Sequence, residues 1–242
     1  MRVGLFVTCL IDLMRPRIGF AALKLLRAAG AEVVVPTTQT CCGQPGYNSG
    51  DYAAARPLAL KLVREFADCD YVVSPSGSCA GMIRVHYPAL FRDTPQASAI
   101  ETLANKTYEL TDFLARIAKL EKLPGNFTGT LTYHDSCSGL RELGVKTQPR
   151  ALLARMPGVR LTEMAECETC CGFGGTFAVK FGDIATRLAD NKCQAIDASG
   201  ASTIVAGDLG CLLHLEGRLR RRGNHQTRVL HVAEVLAGET EN

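Results

Sequence analysis

The tripeptide Cys-Cys-Gly occurs twice, at 41–43 and again at 170–172. Consecutive side chains rarely share one apolar space, so adjacent thiols make poor core residues. The repetition points to two copies of one site. Thiolates are soft ligands that suit zinc, copper(I) and iron–sulfur clusters. The chain carries eleven cysteines, an odd number, in 242 residues. A chain of this size needs no disulfide staples, and in a reducing compartment such density points to metal or redox chemistry.

Laying the second half on the first pairs four cysteines in order. Cys9 matches Cys137 at an offset of 128, Cys41-Cys42 matches Cys170-Cys171 at 129, and Cys79 matches Cys211 at 132. Gly50-Asp51 matches Gly182-Asp183, also at 132. The drift needs few added residues, all in loops, so the pattern reads as an internal duplication. Cys9, Cys41, Cys42, Cys79, Cys137, Cys170, Cys171 and Cys211 are therefore the candidate metal ligands. Cys69 and Cys193 have no counterparts and read as buried small hydrophobes. Cys167 forms a CxxC with Cys170 but faces Thr38 in the first half, and packing is its expected role.

The elements that must hold these thiols are legible as alternating strands and helices. Strands are expected at 2–8, 31–36 and 71–75, with helices at 16–30, 51–68 and from 78 onward. The 51–68 helix is expected to be distorted, or to start late, at Pro57. The second half repeats the pattern, with strands at 129–135, 159–164 and 202–207 and helices at 182–200 and 211–219. Such alternation predicts an α/β fold of two Rossmann-like halves, each a small parallel sheet flanked by helices. A helix at 108–123 and the stretch "PGNFTG" at 124–129 lie between them, which sets domains at 1–125 and 126–242. Each half is long enough to bury a core.

Each cysteine group follows a predicted strand. Open parallel sheets gather ligands at the carboxyl ends of their strands, so residues distant in sequence would converge there. The same positions open helices, where unpaired N–H groups and the positive dipole end favour a thiolate. Gly43 and Gly172 would let the backbone turn tightly and approach an inorganic group, making them candidate cofactor-binding residues. Zinc competes, since four cysteines per half suit a tetrahedral ion. Separations of 31 and 36 residues, with two adjacent ligands, suit a multi-iron cluster better than the short knuckles of structural zinc.

Composition narrows the partners. A net charge of +3 gives no general affinity for nucleic acid. The basic stretch "GRLRRRGNHQTR" at 217–228 reads as a solvated helix end. Apolar runs such as "VGLFVTCLI" stop far short of the roughly 20 residues that span a bilayer, and neither membrane insertion nor export is expected. There is no C-x2-C-x2-C-x3-C-P ferredoxin run, no P-loop and no GxGxxG dinucleotide turn.

The pattern Cys–x31–Cys-Cys-Gly…Cys, twice over, resembles the CCG cysteine-rich domain family. That family includes a subunit of heterodisulfide reductase, glycolate oxidase iron–sulfur subunits and the lactate utilization protein A group. "PTTQTCCGQPGYNSGD", "CETCCGFGGTFAVKFGD" and "GDLGCLLHLEG" most resemble the last group, and the likeness spans nearly the whole chain. The resemblance implies a cytoplasmic iron–sulfur protein with up to one 4Fe–4S cluster per half. It implies an electron-transfer role, inactive alone, in oxidising L-lactate, a 2-hydroxy acid, to pyruvate. The implied partners are a ferredoxin-type iron–sulfur subunit and a third small subunit. The heterodisulfide relative implies that the domain can hold a noncubane cluster on five cysteines ending in CxxC. This chain has "CAGM" and "CLLH", so Met82 and His214 stand where fifth cysteines would be. A four-cysteine cluster, or one completed by His214, is then expected.

His134 and Asp135, beside Cys137, are candidate acid/base residues. Arg84 and Arg141 could hold a carboxylate or neutralise an anionic cluster. Two rival functions remain open from sequence. One is a cluster-dependent thiol–disulfide reductase of the heterodisulfide type, and the other a non-redox zinc-binding scaffold.

Overall fold

The computed structural model describes residues 1–240. The first half opens with β1 (Arg2–Leu5), α1 (Cys9–Met14), α2 (Arg17–Ala28) and β2 (Glu32–Val34). It continues with α3 (Gln44–Asn48), α4 (Tyr52–Glu65), β3 (Tyr71–Ser74) and α5 (Gly77–Gly81). A π-helical turn at Met82–His86 leads to α6 (Tyr87–Leu90), α7 (Ala97–Asn105) and β4 (Thr107–Glu109). A short helix, α8 (Leu110–Asp112), and a second π turn at Phe113–Ile117 lead out of this half. The second half runs β5 (Gly129–His134), α9 (Cys137–Leu143), α10 (Thr147–Leu153) and β6 (Val159–Leu161). It ends with α11 (Thr176–Lys180), α12 (Gly182–Ala198), β7 (Thr203–Ala206), α13 (Leu209–Arg221), β8 (Arg228–His231) and α14 (Val232–Ala237).

Each half builds one four-stranded parallel sheet, ordered β2-β1-β3-β4 and β6-β5-β7-β8. Val3 pairs with Val33 and Tyr71, and Leu131 pairs with Leu161 and Thr203. The α/β duplication expected from the sequence is thus present. In such an order the chain reverses direction across the sheet between the first and third strands, which opens a crevice at their carboxyl ends.

Three expectations need correction. The predicted helix at 108–123 begins instead as β4, and its helical part ends at Ile117. Thr107 and Tyr108 pair with Val72 and Val73, and strand pairing overrides the helical pattern that follows. Pro57 neither breaks nor delays its helix: α4 starts at Tyr52, capped by Asp51 Oδ1 accepting from the Ala54 N–H at 3.0 Å. The third correction concerns the Gly-Asp match between halves. Buried positions Ala55, Ala59, Leu62 and Phe66 in and just after α4 recur as Ala185, Ala189, Lys192 and Ile196 in α12. The structural offset is therefore 130 here, because Asp51 caps α4 from outside while Asp183 lies within the first turn of α12.

The halves share a core. Leu25 of α2 and Val235 of α14 belong to one buried cluster that spans both sheets, whereas Phe6, Leu62 and Phe66 form a separate cluster on the outer face of the first sheet. Gly125, in the segment between halves, donates to the Leu236 carbonyl at 3.0 Å. A Cβ there would lie 2.3 Å from the Gly238 nitrogen, so the connection is clamped against α14.

Candidate metal centre

The crevices of both sheets open into one space. All eight repeated cysteines line a single cleft of about 340 Å³, together with Ser76, Ser136 and Asp208. Asp208 ties the halves at this point: it accepts from the Ser78 N–H at 2.9 Å and from Ser76 Oγ at 3.2 Å, and it caps α13 through the Gly210 N–H at 3.2 Å.

Within each half the four sulfurs form a chain of contacts. Cys9 reaches Cys41, Cys41 reaches Cys42, and Cys42 Sγ lies 3.4 Å from Cys79 Sγ. Cys137, Cys170, Cys171 and Cys211 repeat the sequence of contacts. Hydrogen bonds from Cys42 and Cys9 hold the Cys41 thiol far below its ordinary range, and the Gly43 N–H adds to this at 3.3 Å. Cys137 and Cys171 do the same for Cys170, with the Gly172 N–H again at 3.3 Å. Each set is thus poised with one thiolate stabilised by its neighbours. Burial differs along each chain: Cys9 is exposed, Cys137, Cys41 and Cys170 are half-buried, and Cys42, Cys79, Cys171 and Cys211 are buried.

Gly43 and Gly172 sit at tight turns. Both have positive φ, +81° at Gly43 and +91° at Gly172. A Cβ on Gly43 would lie 3.3 Å from Ala55 Cα, and one on Gly172 would lie 2.4 Å from the Ala185 carbonyl oxygen. The missing side chain makes room for the following long helix, and the turn aims the N–H at sulfur. Thr8, just before Cys9, is buried at φ +77°, a conformation that costs a β-branched residue on the order of 1–3 kcal/mol.

The other sequence candidates fall outside the cleft. Met82 is fully buried in the first-half core. His214 stacks beside Phe173 at 6.1 Å between ring centroids, and its buried Nε2 has no hydrogen-bond partner. Cys69 and Cys193 are buried core thiols, the latter pushed up to about 11 by burial. The Cys167 carbonyl accepts from the Asp135 N–H at 3.2 Å. Arg84 donates to the Thr107 carbonyl at 2.7 Å and stacks on Tyr108, while Arg141 is exposed on α9. Three arginines of the basic 217–228 stretch make ion pairs, Arg218 and Arg222 with Asp190 and Arg220 with Glu216.

His134 and Asp135 do not work as a pair. Asp135 is buried and clasped by both terminal nitrogens of Arg150 at 2.8 Å. His134, also buried, lies on the other side: a ring nitrogen and the sulfurs of Cys171 and Cys211 all sit within 4.8 Å of one another. Neither ring nitrogen has a hydrogen-bond partner, though the Cys167 carbonyl is near enough to favour protonation. Burial and then the Lys192 charge push the imidazole down to about 3. Lys192 itself is buried, and its ammonium donates to the Glu166 carbonyl at 2.5 Å. Sequence reasoning misses Lys192. Aligning the two Ala-x3-Ala helices by their apolar register sets it opposite Leu62 and marks it as a charge in a core position.

A two-sheet α/β frame that delivers paired Cys-Cys-Gly turns to one cleft defines a class. The cysteine-rich domain model, CCG, matches residues 3–84 and 131–216, and the chain belongs to that family. It is 46% identical over 237 residues to lactate utilization protein A of Geobacillus kaustophilus (strain HTA426), covering 98% of both chains. It is 43% identical to lactate utilization protein A of Bacillus subtilis (strain 168), covering 98% of this chain and 99% of that one. Among solved structures, a hypothetical protein from Helicobacter pylori superimposes on the whole chain with a TM-score of 0.71, at 11% identity and over 49% of its own length. That likeness concerns the fold alone.

Proposed function

We propose that this protein is the iron–sulfur electron-transfer subunit of a cytoplasmic, multi-protein system that oxidises L-lactate to pyruvate. The observation that carries the reading is the convergence of two four-cysteine sets on one cleft. The donor set fits an iron–sulfur cluster: four soft sulfurs in mutual contact in each half, inside a cavity large enough for an inorganic core. Cys9, Cys41, Cys42 and Cys79 would hold one cluster, and Cys137, Cys170, Cys171 and Cys211 the other, within domains divided near residue 125. Such a group, when bound, exchanges single electrons. Converting a 2-hydroxy acid to a 2-oxo acid releases two electrons and two protons, and two centres on one cleft match that count. The relatives' name supports lactate as the substrate of the system; the partners proposed are a ferredoxin-type iron–sulfur subunit and a third small subunit, as the family resemblance implies. No described helix is long and apolar enough to cross a membrane.

The shared cleft also favours a second reading, a thiol–disulfide reductase whose substrate sits between the two sets. Deleting the gene and comparing growth on L-lactate and glycolate separates the two. The proposal expects loss of growth on L-lactate, restored by the intact gene, and no lactate oxidation by the purified subunit alone with an artificial acceptor. Normal growth on L-lactate, or turnover by the lone subunit, contradicts it.

A further inference from the structure

The two cysteine sets differ in what stands behind them. In the first half, Phe6 follows β1 and packs against Phe66 with ring centroids 6.2 Å apart, beside Leu62. The equivalent places in the second half hold His134, Lys192 and Ile196, all buried. An apolar wall has been replaced by two basic side chains. Burying such groups without partners costs several kcal/mol unless a ligand or counter-charge satisfies them. His134 has no hydrogen-bond partner at either ring nitrogen. Lys192 pairs with no carboxylate among the described residues, and it holds the carbonyl of Glu166, whose φ is +53°. His134 lies against the sulfurs of the second set: one of its ring nitrogens and the Cys171 and Cys211 sulfurs fall within 4.8 Å of each other, and the Lys192 charge acts on both thiols. Metal–ligand bonds of about 2.0–2.3 Å put tetrahedral donors about 3.3–3.8 Å apart, inside that limit.

We infer that His134 is a nitrogen ligand of the second-half metal centre, binding the metal that Cys171 and Cys211 hold, with Lys192 as its buried counter-charge. The inference rests on the iron–sulfur reading above. It gives the two centres different characters. The first is all-thiolate in an apolar wall. The second adds a neutral nitrogen to its four thiolates and has a buried cation nearby, and the cation raises its reduction potential. Electrons entering the cleft then settle on the second half. His214, which the sequence offered as an alternative to a four-cysteine cluster, lies against Phe173, with ring centroids 6.1 Å apart.

The test uses the full chain, purified without oxygen and labelled with nitrogen-15 at histidine. Iron and sulfide are counted per chain, and electron–nuclear double resonance reads histidine nitrogen bound to the reduced centre. The wild type should show a strongly coupled histidine nitrogen. His134→Phe, which installs the first-half residue, should lose that coupling and lose or alter the second-half signal, leaving the first half's iron in place. His214→Phe should keep the coupling. A wild-type spectrum without bound histidine nitrogen overturns the inference whether or not the variant folds. So does coupling that survives in His134→Phe. Wild-type protein devoid of iron and sulfide instead sinks the underlying iron–sulfur reading.

Discussion

The two halves share a strand order and a chain of four sulfurs, yet they are backed by different chemistry. Phe6 and Leu62 line the first set where His134 and Lys192 line the second. Topology fixes where the sulfurs converge. The residues one layer behind them are free to diverge, and these set the charge and hence the redox behaviour of each centre. Duplication followed by divergence of that layer turns two copies of one site into two unequal ones.

The largest expected effect tests whether the sets are independent although they share a cleft. Cys42→Ser should empty the first site and spare the second, and Cys171→Ser should do the reverse, because serine is a hard ligand for a soft core. Iron per chain in anaerobic preparations reads this. If either variant emptied the whole protein, a single shared centre would be the better account. Cys69→Ser and Cys193→Ser should leave the iron unchanged.

Exchanging the backing layer comes next. Leu62→Lys places an unpaired cation in an apolar core and should cost about 4 kcal/mol or more in the metal-free protein. Lys192→Leu should stabilise the metal-free protein by roughly 1 kcal/mol, since a buried charge without a counter-ion is removed. Urea unfolding measures both. Equal effects of the two substitutions would mean that the halves do not differ as described.

Smaller differences follow from the glycines. Gly172→Ala should destabilise by about 1–3 kcal/mol more than Gly43→Ala. Both suffer the positive φ, but only the first drives a Cβ to 2.4 Å from a backbone oxygen. Similar midpoints for the two variants would count against this packing.

The smallest contrast is in pH. Glu109 ends β4 and His231 ends β8, each capping the helix that follows. Burial raises Glu109 from 4.5 to about 7 and lowers His231 from 6.5 to about 4. The folded protein holds a proton on Glu109 that the unfolded chain has lost. The stability this confers is present below about pH 4.5 and disappears as pH rises through about 7. His231 contributes above about pH 6.5 and loses that contribution as pH falls toward 4. Glu109→Gln should therefore gain on the wild type as pH rises from 4.5 to 7.5. A difference that stays constant over that range would contradict the assignment.

Much of this is readable in the sequence. Strand ends before Cys9, Cys79, Cys137 and Cys211 follow from short apolar runs, and the repeat of cysteines marks the duplication. The fourth strands are hidden. β4 has three residues and runs straight into a helical pattern, while β8 follows the arginines of 217–228, which dominate the local signal. The meeting of both sets in one cleft is also hidden, because it depends on helix packing across the halves, such as Gly77 against Gly139, where a Cβ would lie 3.0 Å from backbone. His134 stands out in the sequence only for its place beside Cys137. Strand alternation separates it from Asp135, and the register that brings it to Cys171 and Cys211 becomes visible only in three dimensions.

The central claim is that two cysteine sets on one cleft each hold an iron–sulfur cluster. Mössbauer spectroscopy of iron-57-enriched protein, purified without oxygen and assayed for sulfide and zinc, tests it most directly. The account predicts cluster iron with matching sulfide in two distinguishable populations, one per half. Zinc without sulfide, or iron in a single population that either cysteine set alone can hold, would contradict it.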